Sequence, residues 1–173
     1  MSSVGTSFGG VVRGASASGQ SLGGPSVGQG GHGGGGSVSQ GARSVRWLLS
    51  DFFSGVAGVQ GVVVVSSDGL LLATAEQTRR AEELSAIVSG LVSLGVGVAR
   101  VLDYGRMKQT IVSMEDAHLC IMAISDGSCL GVNASLDADL SQVAYQMALL
   151  VERAGHALTP EVRSELSRAM AQR

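Results

Sequence analysis

The sequence predicts an α/β fold in which helices cover both faces of one sheet, in the order helix, strand, strand, helix, strand, strand, strand, helix. Three observations carry that reading. Val62-Val63-Val64-Val65 is apolar at every position, and strands that do not alternate belong in sheets covered on both sides. Two Asp-Gly pairs, Asp68-Gly69 and Asp126-Gly127, each stand between apolar runs, where glycine supplies the positive φ of a tight hairpin turn. The segments around these runs repeat their apolar residues at helical spacing.

Val45, Leu48, Leu49, Phe52, Phe53 and Val56 give a first helix that ends near Gly55–Gly58. Trp47 stands on its flank, where partial packing on the sheet accounts for it, since a lone aromatic rarely makes a site. The strand Val62–Val65, the turn Ser66-Ser67-Asp68-Gly69 and the strand Leu70–Ala73 form the first hairpin. The helical stretch Thr78–Leu102 is the most informative part of the chain. Leu84, Ile87, Val88, Leu91, Leu94, Val98 and Leu102 make one apolar stripe, with charges confined to the ends as Arg79, Arg80, Glu82, Glu83 and Arg100. The opposite side is small rather than polar. Ala86, Gly90, Ser93 and Gly97 are spaced four, three and four apart and share a face. A mid-helix glycine costs about 1 kcal/mol relative to alanine, so Gly90, Gly95 and Gly97 together point to a backbone that something must approach closely. Regular spacing favours a second helix, most simply the same helix of a second copy across a two-fold axis, over a merely loosened helix end.

After a turn at Asp103–Arg106 come three strand-like runs, Lys108–Met114, His118–Ile124 and Ser128–Ala134. The first carries Lys108, Gln109, Thr110 and Ser113, a polarity that suits a sheet edge. His118 has no second His or Cys at ligand spacing and reads as a surface residue. With Asp126-Gly127 as a two-residue turn, Ile124 opposes Cys129. Cys120 then lies four residues along from that partner, about 13 Å away at ~3.3 Å per residue. That is too far for a disulfide, so both cysteines read as small, reduced core residues. The last main helix runs from about Asp137 to Leu158, with Leu140, Val143, Ala144, Met147, Val151 and Ala154 as its apolar face. Asp137 and Asp139 fall in its first turn, where the helix dipole favours acids. Pro160 closes the element, and Glu161–Gln172 reads as a short, exposed helix.

Residues 1–42 have a different composition. Of the 26 glycines, 15 lie between Met1 and Gly41, and Arg13 is the one charged residue before Arg43. Such a segment has too little apolar surface to offset the entropy of ordering it, so it reads as a disordered Gly/Ser-rich tail. Its Gly30–Gly36 run lacks the Lys-Ser/Thr of a phosphate cradle. The basic start and apolar run of a secretory signal are missing, and Ser2 stands where myristoylation requires glycine. The formal net charge of −2, without a basic stripe, argues against nucleic acid. Leu84–Ala99 falls short of the ~20 apolar residues that span a bilayer, which leaves the cytoplasm as the expected location. No nucleophile elbow, paired-carboxylate pattern or metal-ligand spacing stands out, so the expectation is a non-catalytic protein without cofactor or metal.

Gly58-Val59, Val62–Val65, Ser66-Ser67-Asp68-Gly69-Leu70 and Ala73 resemble the opening signature of roadblock proteins, the dynein light-chain roadblock type. The small-residue helix, Thr110-Ile111-Val112, the Asp126-Gly127 hairpin and Ala144-Tyr145-Gln146-Met147 extend the resemblance over roughly Val45–Leu158. The chain is similar to the bacterial, actinomycete-like branch, whose members are encoded beside a sensor kinase and a Ras-like GTPase. The resemblance implies a roadblock/profilin-like, five-stranded antiparallel sheet with helices on both faces at residues 43–158, to which the chain's own pattern adds a short helical extension at 159–173. It implies that two copies join through the second helix and third strand into one long sheet. Carried onto this chain, those interface residues are Ala86, Gly90, Ser93, Gly97, Thr110 and Val112. It further implies a dimeric scaffold or regulatory module that binds a small Ras-like GTPase and modulates its GTP hydrolysis or recruitment. A small-molecule-sensing or adaptor domain of a sensor-kinase pathway is the alternative, and it needs a cavity with convergent polar groups, of which the strands offer few. Arg79, Arg80, Arg100 and Arg106 are arginine-finger candidates by type only; nothing in their spacing selects among them, and they read as surface residues that serve solubility. The long Gly/Ser tail departs from the dynein-associated members and puts a motor-associated role in doubt.

Overall fold

The computed structural model describes residues 38–75, 80–125 and 127–172. Among them the chain forms α1 (Gln40–Gly55), β1 (Val59–Val65), β2 (Leu71–Ala75), α2 (Ala81–Leu102), β3 (Gln109–Ser113), β4 (Ala117–Ala123), β5 (Cys129–Ser135), α3 (Leu140–Ala157) and α4 (Pro160–Ala171). The strands make one antiparallel sheet in the order β2-β1-β5-β4-β3.

Each face of the sheet has its own core, which is why β1 does not alternate. Val62 and Val64 join Leu72, Leu130 and Val132 beneath α1 and α3. Val63 and Val65 join Leu119, Ile121 and Cys129 beneath α2. The three layers predicted from the valine run are present.

Both hairpins turn on glycine, with φ of 86° at Gly69 and 89° at Gly127, but each loop holds three residues instead of two. The Ser66 N–H donates to the Leu70 carbonyl at 2.9 Å and the Gly69 N–H to the Ser66 carbonyl at 3.0 Å. The same pair of bonds links Ile124 with Ser128 and Gly127 with Ile124, at 2.7 and 3.2 Å. Each loop ends on a glycine in the left-handed region. Asp126 itself lies outside the described residues. The extra loop residue slips the expected β4–β5 register by one, so Cys129 pairs with Ala123 and Cys120 with Val132. A slip of one residue moves a side chain to the other face. Cys120 therefore lies in the core under α1 and α3 and Cys129 in the core under α2. Both are buried. Burial pushes the Cys120 thiol pKa up, which disfavours its reactive thiolate.

The helix ends move slightly from their predicted places. Ser39 caps α1, its Oγ accepting from the Ala42 N–H at 3.2 Å. The last residues of the expected tail are therefore helical, and Ala42 is fully buried; the tail expectation for residues 1–37 lies outside the described residues. Trp47 is 63 % exposed and does not pack on the sheet as expected, because Val45 and Leu49 on either side of it point inward. α3 starts at Leu140 instead of Asp137. Asp139 is its N-cap, with Oδ1 accepting from the Ser141 and Gln142 N–H groups at 2.9 and 3.2 Å. Asp137 precedes the helix, where the Ser135 hydroxyl holds its carboxyl below the usual range.

α4 is the largest departure from expectation, because it is packed and not exposed. Val162 and Leu166 enter the core under α1, while Met170 enters the core under α2. A helix that feeds both cores and lies against edge strand β2 wraps around that edge. Glu165 ties it to the start of α1, its Oε1 accepting from the Ser39 N–H at 2.8 Å.

Candidate functional site

With α4 beside β2, the opposite edge of the sheet is β3, which pairs only with β4 among the described residues. α2 lies over the sheet face that ends at this edge. Glu82 and Glu83 occupy its first turn and Arg100 its last, the polarity that the helix dipole favours. It is fixed to the sheet by very little. Only Ser85 and Val88 of its 22 residues are buried. The Ser85 hydroxyl lies 2.9 Å from the Gly69 carbonyl. Val88 sits over Gly131, where an added Cβ would stand 3.0 Å from Val63 Cγ2 and 3.1 Å from Val88 Cγ2.

The single apolar stripe expected on α2 divides in two. Leu84, Val88 and Leu91 pack on the sheet, whereas Ile87, Leu94, Val98 and Leu102 are 51–70 % exposed. Residues advance by 100° each around a helix, and the stripe is wider than the small core beneath it covers. Val101, on the exposed side, is 83 % exposed.

Ala86, Gly90 and Ser93 are exposed and Gly97 is half-buried. Beyond Gly90 and Gly97 there is open space for a Cβ. Gly95 differs from them: a Cβ there would collide with Met107 Sδ. Its reason lies inside this chain, which corrects its grouping with the other two glycines.

On β3, Thr110 and Val112 are half-buried. The Thr110 hydroxyl lies 3.3 Å from Met107 Sδ, and Val112 packs with the core under α2. Ile111 stands on the other face of the strand, 44 % exposed. Between helix and strand runs an apolar groove of about 420 Å³, walled by Leu84, Ile87, Leu91, Val112 and Met114 and rimmed by Arg80 and Glu83. Thr110 and Val112 lie under α2, beside Gly95 and Leu91, whereas Ala86, Gly90 and Ser93 stand on exposed parts of the helix, Ala86 next to the Gly69 turn. Sequence reasoning missed Ile87, Leu94, Val98, Val101 and Ile111 as surface residues, because apolar periodicity alone reads as core.

The other sequence candidates are scattered. Arg80 pairs with Glu83, Arg100 ends α2, Arg106 lies in the α2–β3 connection, and Arg79 lies outside the described residues. His118 Nδ1 is 3.2 Å from Ser113 Oγ. Among the described residues there is no group of three or more His, Cys, Asp or Glu that would hold a metal ion.

The sequence pattern of the Roadblock/LC7 domain matches residues 45–134, from α1 through β5. The chain belongs to the Roadblock/LC7 family. A Roadblock/LC7 domain from Streptomyces avermitilis is similar to it at 32 % identity, with 62 % of this chain and 91 % of that chain covered and a TM-score of 0.59. Myxococcus xanthus MglB, at 16 % identity and a TM-score of 0.60, covers 65 % of this chain and 92 % of its own. The gliding protein MglB of Thermus thermophilus, at 15 % identity and a TM-score of 0.63, covers 69 % and 91 %. These two share the fold. No curated protein matches the chain.

Roadblock/LC7 domains are generally non-catalytic regulatory modules. In this roadblock domain α2 is, contrary to the sequence expectation, long and apolar enough to cross a bilayer, because its charges stand only at its ends. It is a helix of the roadblock fold, seated on the sheet through Val88, and not a clear span.

Proposed function

We propose that this roadblock domain acts as a homodimer joined through α2 and β3, and that the dimer binds a small Ras-like GTPase as a non-catalytic scaffold or regulator in a bacterial signalling system. One observation carries the dimer: a 22-residue apolar helix with two buried residues lies beside an open sheet edge. Monomeric proteins rarely leave contiguous apolar patches of this kind in water, and a second copy covers both elements at once. Ala86, Gly90, Ser93, Gly97, Thr110 and Val112 belong to that surface, together with the exposed Ile87, Leu94 and Val101.

The GTPase rests on family membership. Bacterial roadblock proteins of the branch that this chain resembles are encoded beside a Ras-like GTPase and a sensor kinase, which supports a cytoplasmic protein acting between the two. A net charge of −2 is against a nucleic-acid partner. Capture tests the reading. Immobilised full-length protein should retain its cognate Ras-like GTPase, in one nucleotide state more than the other, and change its GTP hydrolysis or exchange. No retention in either nucleotide state contradicts the proposal.

A further inference from the structure

β2 and β3 are the two edges of the sheet, and they end it in different ways. Among the described residues β3 is open, whereas α4 lies against β2. Val162 and Leu166 enter the core on the α1 side of the sheet, and Met170 enters the core on the α2 side. A helix that reaches both faces has to cross the edge between them. It stands where a further strand would lie, about 4.8 Å from β2.

β2 carries no guard of its own. Its five residues, Leu71-Leu72-Ala73-Thr74-Ala75, include no charge and no proline, the residue types that keep an exposed edge from pairing with another chain. The guard is α4, and it is held along a narrow ridge. Val162, Leu166 and Met170 follow one another at four-residue steps and are its three buried residues. Its flank toward the β1–β2 turn is undercut by two clefts, of about 470 and 330 Å³, which meet at Leu70 and Ser167. A hydrogen bond from the Ser39 N–H to Glu165 adds one tie to α1.

We infer that the β2 edge is a second self-association surface closed by α4, and that β2 of another copy takes the edge when α4 swings away. Another copy presents the same strand, and two identical edges pair antiparallel about a two-fold axis. The homodimer reading gives this a consequence. A sheet joined through β3 ends on β2 at both of its ends, so α4 is what stops the assembly at two copies. With α4 displaced, each dimer pairs at both ends and grows into an open row. A chain that is single in solution instead pairs once through β2 and stops.

Sedimentation velocity of full-length variants tests the inference. Leu166→Ser with Met170→Ser should free α4, seen as fast amide exchange over residues 160–171, and should raise the particle mass to at least twice that of the wild type. Thr74→Lys added to this pair puts a charge on the edge and should return the mass to the wild-type value, which general stickiness of an uncovered core does not do. Should the double variant lose its cooperative melt, Leu166→Ala takes its place. Its mass at high concentration should exceed that of wild type, whereas Leu150→Ala, also buried but under α1 and α3, should match wild type. A freed α4 with unchanged mass, heavy particles that persist with Thr74→Lys, or the same particles from Leu150→Ala overturn the inference. Each mass is read against the wild type, so the homodimer reading is judged separately, by the wild-type mass itself.

Discussion

Leu94 offers the sharpest test of what covers α2. It is 70 % exposed in the single chain and stands in the middle of the helix. Fully burying a leucine side chain contributes about 1.5–3 kcal/mol, so covering the exposed share contributes about 1–2 kcal/mol. A two-fold interface repeats the contact, which doubles this to about 2–4 kcal/mol. Alanine keeps part of that area, leaving a loss of about 1.5–3 kcal/mol, or roughly ten- to hundredfold in the dimer dissociation constant. The isolated chain should barely respond, because substitutions at exposed positions usually fall within about 0.5 kcal/mol. Sedimentation equilibrium of Leu94→Ala beside wild type reads the first effect, and thermal unfolding at a concentration that favours monomer reads the second. Tyr145→Ala on α3, at a site 61 % exposed, is the control and should leave association unchanged. A Leu94→Ala dimer as tight as wild type refutes the reasoning.

Leu166 is fully buried on α4, so Leu166→Ala should lower stability by about 2–5 kcal/mol, read as an earlier urea midpoint; a change of surface size would mean that α4 does not hold the β2 edge. Asp139→Ala removes the α3 N-cap and should destabilise by about 1 kcal/mol, read by the same denaturation. The Glu165 carboxyl is held below its ordinary pKa by Ser39, through the hydroxyl and then the backbone N–H. A depressed carboxylate stabilises the fold above its unfolded pKa, and that contribution is lost as pH falls through the folded pKa. Glu165→Gln should therefore flatten the fall of melting temperature in the acid range, and an unchanged profile would contradict the link.

How much of this was legible beforehand depends on what each residue needs. The valine run announced two cores because every position of β1 had to be apolar, and the two Asp-Gly pairs announced two hairpins. Loop length was hidden, since Asp-Gly serves a two-residue turn and a three-residue turn alike; that ambiguity put Cys120 and Cys129 on one face when they occupy two. The spacing of Val162, Leu166 and Met170 at four-residue steps held the signal for a packed α4, obscured by the polar residues between them. On α2, periodicity showed where apolar residues lie but not which surface covers them, so Val88 and Leu94 looked equivalent. Gly90 and Gly95 looked equivalent for the same reason, and only the fold sets Met107 against one and open space against the other.

Light scattering on the full chain as it elutes from a sizing column weighs the central claim directly. A mass of two chains, held through dilution until a defined dissociation range, is the result predicted for a helix and strand edge that need a second copy. A mass of one chain at every concentration would mean that water covers Ile87, Leu94 and Ile111, and it would contradict the account.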